Sequence, residues 1–192
     1  MYSEEEVIEE VIEEGLEEKT SPMKEIFSWV MTMLFAAVFA LLLTQFVILN
    51  ATVPSGSMEE TIRTNDRILA FRLSYLFSSP GRFDIVVFPS PDNGVLNVKR
   101  VIGLPGETIH IVDGRVFVDG SDAHLRDDFV KGPFMGNWGP YTVPEGHLFM
   151  LGDYRSNSQD SRRWNNPFVY EGDVMGRVFI RYWPGIRLLH NT

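Results

Sequence analysis

From Ile26 to Leu49 the chain reads IFSWVMTMLFAAVFALLLTQFVIL, 24 residues without a charge. As a helix rising 1.5 Å per residue, a run of that length measures about 36 Å, enough to cross a hydrocarbon layer of roughly 30 Å with some tilt. The competing reading is a cleavable secretory leader. That reading calls for an apolar stretch of about 7–15 residues behind a short basic segment, whereas here the run is longer and a Glu-rich segment precedes it. Cleavage after Ala51 would also place bulky Leu49 at the −3 position. The expectation is an uncleaved membrane anchor over 26–49, with an acidic tail before it (1–25) and a domain after it (50–192).

Charge divides along the same lines. The net charge of −9 is concentrated in residues 1–25, which hold ten Glu and two Lys; residues 26–192 hold 16 acids and 15 bases. No basic patch of the kind that tracks phosphates stands out in the domain, which speaks against nucleic acid as a partner. Within reach of the apolar run, Lys19 and Lys24 lie on one flank and Arg63 on the other. Basic residues are retained on the cytoplasmic side, so the expectation is a single-pass protein of the cell membrane with a cytoplasmic N-terminus and its domain on the outer face. In the tail, Val7, Ile8, Val11, Ile12 and Leu16 recur at helical spacing. They suit either a docking helix for an unknown basic partner or a solvated, self-repelling segment; the Glu density favours the second.

The remaining 143 residues carry a β pattern. Short β-branched or aromatic runs recur at Asp66–Phe71, Asp84–Phe88, Val95–Ile102, Thr108–Val112, Arg115–Val118, His147–Leu151 and Val174–Trp183, separated by Pro and Gly. Asp113-Gly114 between two alternating runs predicts a hairpin with a type I′ turn. No long amphipathic helix follows the anchor. The fold class expected is mainly β, a mostly antiparallel domain tethered to a membrane.

Chemistry is constrained by what is missing. Without cysteine there is no thiol nucleophile and no disulfide. His110, His124, His147 and His190 are scattered, without the spacing of paired metal ligands or a partner that suggests a Ser/His scheme, so no cofactor or metal is called for. Asp127 and Asp128 sit in a charged loop. Serine with lysine remains. Val53-Pro54-Ser55-Gly56-Ser57-Met58 follows the anchor, and a Ser behind a Gly can expose its hydroxyl while leaving its own N–H free. A flexible linker would explain Ser-Gly-Ser equally well. Lys99 lies in the apolar run Asn97–Gly103, where alternation can turn it inward; burial lowers a lysine pKa and makes the amine a base. Alternatively it faces solvent beside Arg100. Finally, Gly152–Arg163 is a loop dense in hydroxyls, carboxylates and guanidinium groups, suited to Asp–Arg pairing.

Four boxes in this order behind an anchor resemble the type I signal peptidases (leader peptidases), in the compact form found in Gram-positive bacteria. They are Ser55–Met58, Gly81–Phe88, Lys99–Glu107 and Gly152–Arg162, and the resemblance runs from about Ile26 to Gly185. It implies a signal-peptidase antiparallel fold and a serine endopeptidase that removes N-terminal signal peptides from exported preproteins, after small residues at −3 and −1. Carried over, Ser57 is the nucleophile and Lys99 the general base. Ser55 donates to the oxyanion and Ser158 orients the Lys99 amine, while Arg100, Asp153, Arg155, Asp160 and Arg162 give structural support. Val53, Met58, Ile62 and Val98 line the pockets for small side chains. The chain departs from the pattern at Glu60, where Pro is usual, and at Tyr154 and Ser156, where Asn and Asp are common. Two rival readings are a related Ser/Lys protease of the self-cleaving repressor type, which the anchor disfavours, and a non-catalytic tethered β-domain.

Overall fold

The computed structural model describes residues 21–189; the tail expectations at 1–20 and His190 lie outside them. Two units are distinguished, one ending at Leu42 and one beginning at Leu43. The first contains helix α1, Pro22–Leu42, in which no side chain is buried although the composition is almost wholly apolar. With the π-turn Leu43–Val47 it forms a continuous helical stretch of 26 residues with a mean hydropathy of 2.4, long and apolar enough to cross a membrane. An apolar helix with every face uncovered has no aqueous environment that suits it. The apolar run does not end as one helix: Ile48 and Leu49 belong to the first strand, and Leu49 is 5 % exposed within the domain core.

The second unit is antiparallel throughout. Strands β1 (Ile48–Thr52), β2 (Arg67–Phe71), β3 (Ile85–Pro89), β4 (Leu96–Gly103), β5 (Thr108–Val112), β6 (Arg115–Val118), β7 (Trp138–Thr142), β8 (His147–Leu151), β9 (Phe168–Tyr170), β10 (Gly176–Trp183) and β11 (Arg187–Leu188) form two sheets. The larger runs β1-β2-β10-β3-β4-β8-β9 with β11 on β10; the smaller runs β6-β5-β7. The predicted hairpin closes at Asp113 and Gly114 with φ of 48° and 79°, the doubly left-handed geometry of a type I′ turn. Asp66 and Asp84, assigned to strands from the sequence, stand just ahead of β2 and β3.

Strand β3 explains why the large sheet is covered on both faces. Ile85 and Val87 join one core cluster with Leu49, Met58, Ile62 and Val178, while Val86 and Phe88 join a second with Val101, Leu148 and Met150. Alternation along a strand makes this division automatic. A third cluster, built on Ile109, Ile111 and Phe149, joins the small sheet to β8. Gly103 is required at that junction, since a β-carbon there would sit 2.9 Å from both Ile109 and Phe149.

Strands β1, β7, β9 and β11 go beyond the sequence expectations. Strand β7 contains Pro140, which reads as a turn signal; β7 lies at the edge of its sheet, where a missing N–H is tolerated. Strand β1 is concealed within the anchor's apolar run.

Candidate active site

Strand β4 places Lys99. Its register pairs Val98 with Val87 and Lys99 with Val86, so alternation carries Lys99 to the face opposite Val98, as the inward reading requires. Lys99 is 2 % exposed and its Nζ lies 2.6 Å from Ser57 Oγ. Desolvation lowers the amine from 10.5 to about 8, opposed by the negative charges of Asp160 and Asp153. A lysine so placed can accept a proton near neutrality, which a surface lysine cannot.

Ser57 sits in the segment between β1 and β2. Its hydroxyl is 3.4 Å from the exposed Ser55 hydroxyl, and its carbonyl accepts the Tyr154 N–H at 3.1 Å. The Ser57 N–H makes no hydrogen bond among the described residues. Gly152 is pressed against this turn: a β-carbon there would lie 2.5 Å from the Ser57 carbonyl oxygen and closer still to the Ser158 hydroxyl.

Four of the five support residues form two buried ion pairs, and the fifth, Arg155, is tied to them through backbone carbonyls. Arg100 donates from Nε and Nη2 to the two oxygens of Asp153 at 2.8 and 2.6 Å, and from Nη1 to the Phe83 carbonyl. Asp160 accepts from Arg162 Nε and Nη2 at 2.8 and 2.7 Å, and from the Gly152 N–H at 3.1 Å. Arg155 donates to the Gly152 carbonyl at 3.0 Å, and its own carbonyl accepts from Arg162 at 2.8 Å. Bidentate pairing offsets the cost of burying these charges and fixes the loop that holds Gly152 and Tyr154. Desolvation, with Arg162 nearby, lowers Arg155 to about 10.

Other expected residues lie differently from the simple expectation. Ser158 is wholly buried, and its Oγ has no hydrogen-bond partner, Lys99 included. Met58 and Ile62 are both 0 % exposed and Val53 is 3 % exposed, so they can shape a substrate pocket only from beneath; Val98 alone is partly open. The Gly81–Phe88 box supplies β3, whose Val86 pairs with Lys99, and a turn in which Asp84 accepts from the Gly81 N–H and the Tyr75 hydroxyl.

Two contributors escaped the sequence reading. Thr61 donates its hydroxyl to Asp153 at 2.6 Å, and the Phe129 ring lies 4.2 Å beneath the Arg100 guanidinium. Thr61 belongs to the Ser-Gly-Ser-Met box's continuation, which was the available signal; nothing near Phe129 marked it.

Comparison with known proteins identifies the family of the chain. The family model described as signal peptidase, peptidase S26, matches residues 26–183. A signal peptidase I of Leptolyngbya laminosa is 38 % identical over 176 residues, covering 88 % of this chain and 83 % of that protein. A signal peptidase I of Bacillus licheniformis is 32 % identical over 151 residues, covering 74 % and 81 %. The crystal structure of a signal peptidase I from Enterococcus faecalis aligns with a TM-score of 0.45 at 36 % identity, covering 52 % of this chain and 97 % of that one. The chain therefore belongs to the signal peptidase family, peptidase S26, and is a peptidase with an N-terminal helix long and apolar enough to anchor it in a membrane.

Proposed function

We propose that the protein removes signal peptides from exported preproteins with Ser57 as nucleophile and Lys99 as general base. The observation that carries this reading is the buried 2.6 Å contact between Lys99 Nζ and Ser57 Oγ. When the amine is neutral its lone pair takes the Ser57 proton as Oγ attacks the scissile carbonyl. The protonated amine then delivers that proton to the leaving nitrogen, and the acyl-enzyme is hydrolysed by a water that Lys99 deprotonates. The free Ser57 N–H and the adjacent Ser55 hydroxyl are the oxyanion donors, each worth about 10²–10³ in rate. Ser158, packed with the Ser57 carbonyl against Gly152, acts as a positioning residue for the Ser57 turn.

Substrate enters as an added strand. Residues Leu96–Lys99 pair with β3 on one edge only, because pairing with β8 begins at Arg100. An extended peptide can complete that open edge and present its scissile bond to Ser57. Partly open Val98, with Val53, Met58 and Ile62 below it, favours small side chains at −3 and −1. The anchor holds the enzyme in the cell membrane with the N-terminus cytoplasmic and the domain outside, where signal peptides emerge from the bilayer.

The test is cleavage of a preprotein bearing small residues at −3 and −1 by the detergent-solubilised full chain, with the cut located by mass spectrometry. Ser57→Ala and Lys99→Ala should abolish cleavage and Ser55→Ala should leave a residue of it; full activity in Lys99→Ala would end the dyad mechanism.

A further inference from the structure

Two cavities of the domain share walls. One, about 230 Å³, is lined by Glu59, Tyr154 and Gly132; the other, about 390 Å³, reaches Arg63, Arg187 and Phe129. Glu60 and Lys131 line both, so together they form one groove. Its near end is tied to the nucleophile: Glu59 packs its carboxyl 3.0 Å from where a β-carbon on Gly56 would sit, and the Tyr154 N–H holds the Ser57 carbonyl. The open edge of β4 serves the residues before the scissile bond, and this groove adjoins the Ser57 turn through Glu59 and Tyr154.

Its charge is not evenly spread. At the near end Glu59 and Glu60 face Lys131. In the larger cavity Arg63, Lys131 and Arg187 make no ion pair among the described residues. Of the acids there, Asp128 is 3.6 Å from Arg126, which leaves Glu60 as the one carboxylate against three cations. Arg100 forms part of the wall but is already neutralised by Asp153. Phe129, Leu188 and Leu189 give the cavity an apolar side. A cationic groove with one apolar wall suits an extended peptide carrying acidic side chains.

We infer that this groove receives the segment of the preprotein after the cleaved bond, and that Arg63, Lys131 and Arg187 select acidic over basic residues in it. The inference rests on the proposed peptidase reading, and names the substrate class that the site prefers. Three exposed cations acting together on one carboxylate give about a three- to tenfold preference, and, being solvent-exposed, lose much of it in high salt.

The experiment uses the full chain in detergent and a peptide cut at a known bond, with a single Asp or Lys moved through the residues after it. Cleavage of the uncharged parent peptide establishes the peptidase reading by itself. Expected is a lower KM for Asp than for Lys at one or more of those positions, with kcat little changed, shrinking as salt is raised. Arg187→Glu and Lys131→Glu, both at exposed positions, should each reduce or reverse the Asp-to-Lys ratio. Equal KM values for the Asp and Lys series, or a ratio that both variants leave as it was, would overturn the inference even with the parent peptide cleaved. Failure to cleave the parent would instead refute the reading on which it stands.

Discussion

Titrating activity through pH 8 puts the dyad to its most direct test. Burial takes the Lys99 amine from 10.5 to about 8. At 1.36 kcal/mol per pKa unit this is about 3 kcal/mol of preference for the neutral amine, and it raises the neutral fraction at pH 7 from a few in ten thousand to about one in ten. The expected profile of kcat/KM climbs roughly tenfold between pH 7 and a plateau above the Lys99 pKa, since this parameter reports the free enzyme. The folded state carries the same signature. Between about 8 and 10.5 the unfolded chain binds a proton at Lys99 that the folded chain has released, so this residue's contribution to stability rises with pH across that window. Lys99→Met should abolish cleavage and raise Tm at neutral pH, where the native lysine is mostly charged and buried. Lys99→Arg should stay inactive at every pH, since a guanidinium does not give up its proton. Assays are steady-state peptide cleavage and thermal melts over the same buffers. A rate flat through pH 8, or an unaltered limb in Lys99→Ala, would refute the reasoning.

Three further outcomes follow from the geometry. Gly152→Ala drives a β-carbon into the Ser57 carbonyl; real contacts of that kind exceed 3 Å, so the turn must move by several tenths of an ångström. We expect about 10²-fold loss of kcat at a stability cost of about 1–3 kcal/mol, checked by kinetics and denaturant unfolding. Asp153→Asn strips Arg100 of its charged partner in a buried setting, costing about 3–5 kcal/mol and lowering Tm by roughly 10 °C or more in calorimetry. Ser158→Ala removes a hydroxyl that is already unpartnered, so Tm should hold or rise slightly while kcat falls about tenfold; an unchanged kcat would deny Ser158 its positioning role.

How much of this was legible in the sequence depends on range. Period-two runs and the Asp-Gly turn are local, and they located seven of the strands and the hairpin to within a few residues. Strands β1, β7 and β9 were hidden by tertiary effects: Ile48 and Leu49 are as apolar as the helix before them, Pro140 is permitted by an edge position, and Phe168–Tyr170 is too short to show a pattern. The contact between Lys99 and Ser57 could be anticipated only through the boxes, since no local rule connects Ser57 with a lysine 42 positions away. The identities of Asp153 and Arg100 suggested pairing, but their union with Thr61 over the Phe129 ring comes only from the folding of distant loops.

The burial of Leu49 changes what the anchor can be taken for. Residues Leu43–Val47 form a five-residue π-turn within the domain unit, β1 follows at once at Ile48, and β1 is paired with β2 along its whole length. A soluble fragment begun at Asn50, just past the apolar run, forfeits two strand residues and a core leucine, a loss of about 2–5 kcal/mol. One begun at Leu43 keeps the strand but carries an exposed apolar end. The last two residues of the hydrophobic run are thus spoken for by the fold of the domain, and the end of the run is not the end of the anchor.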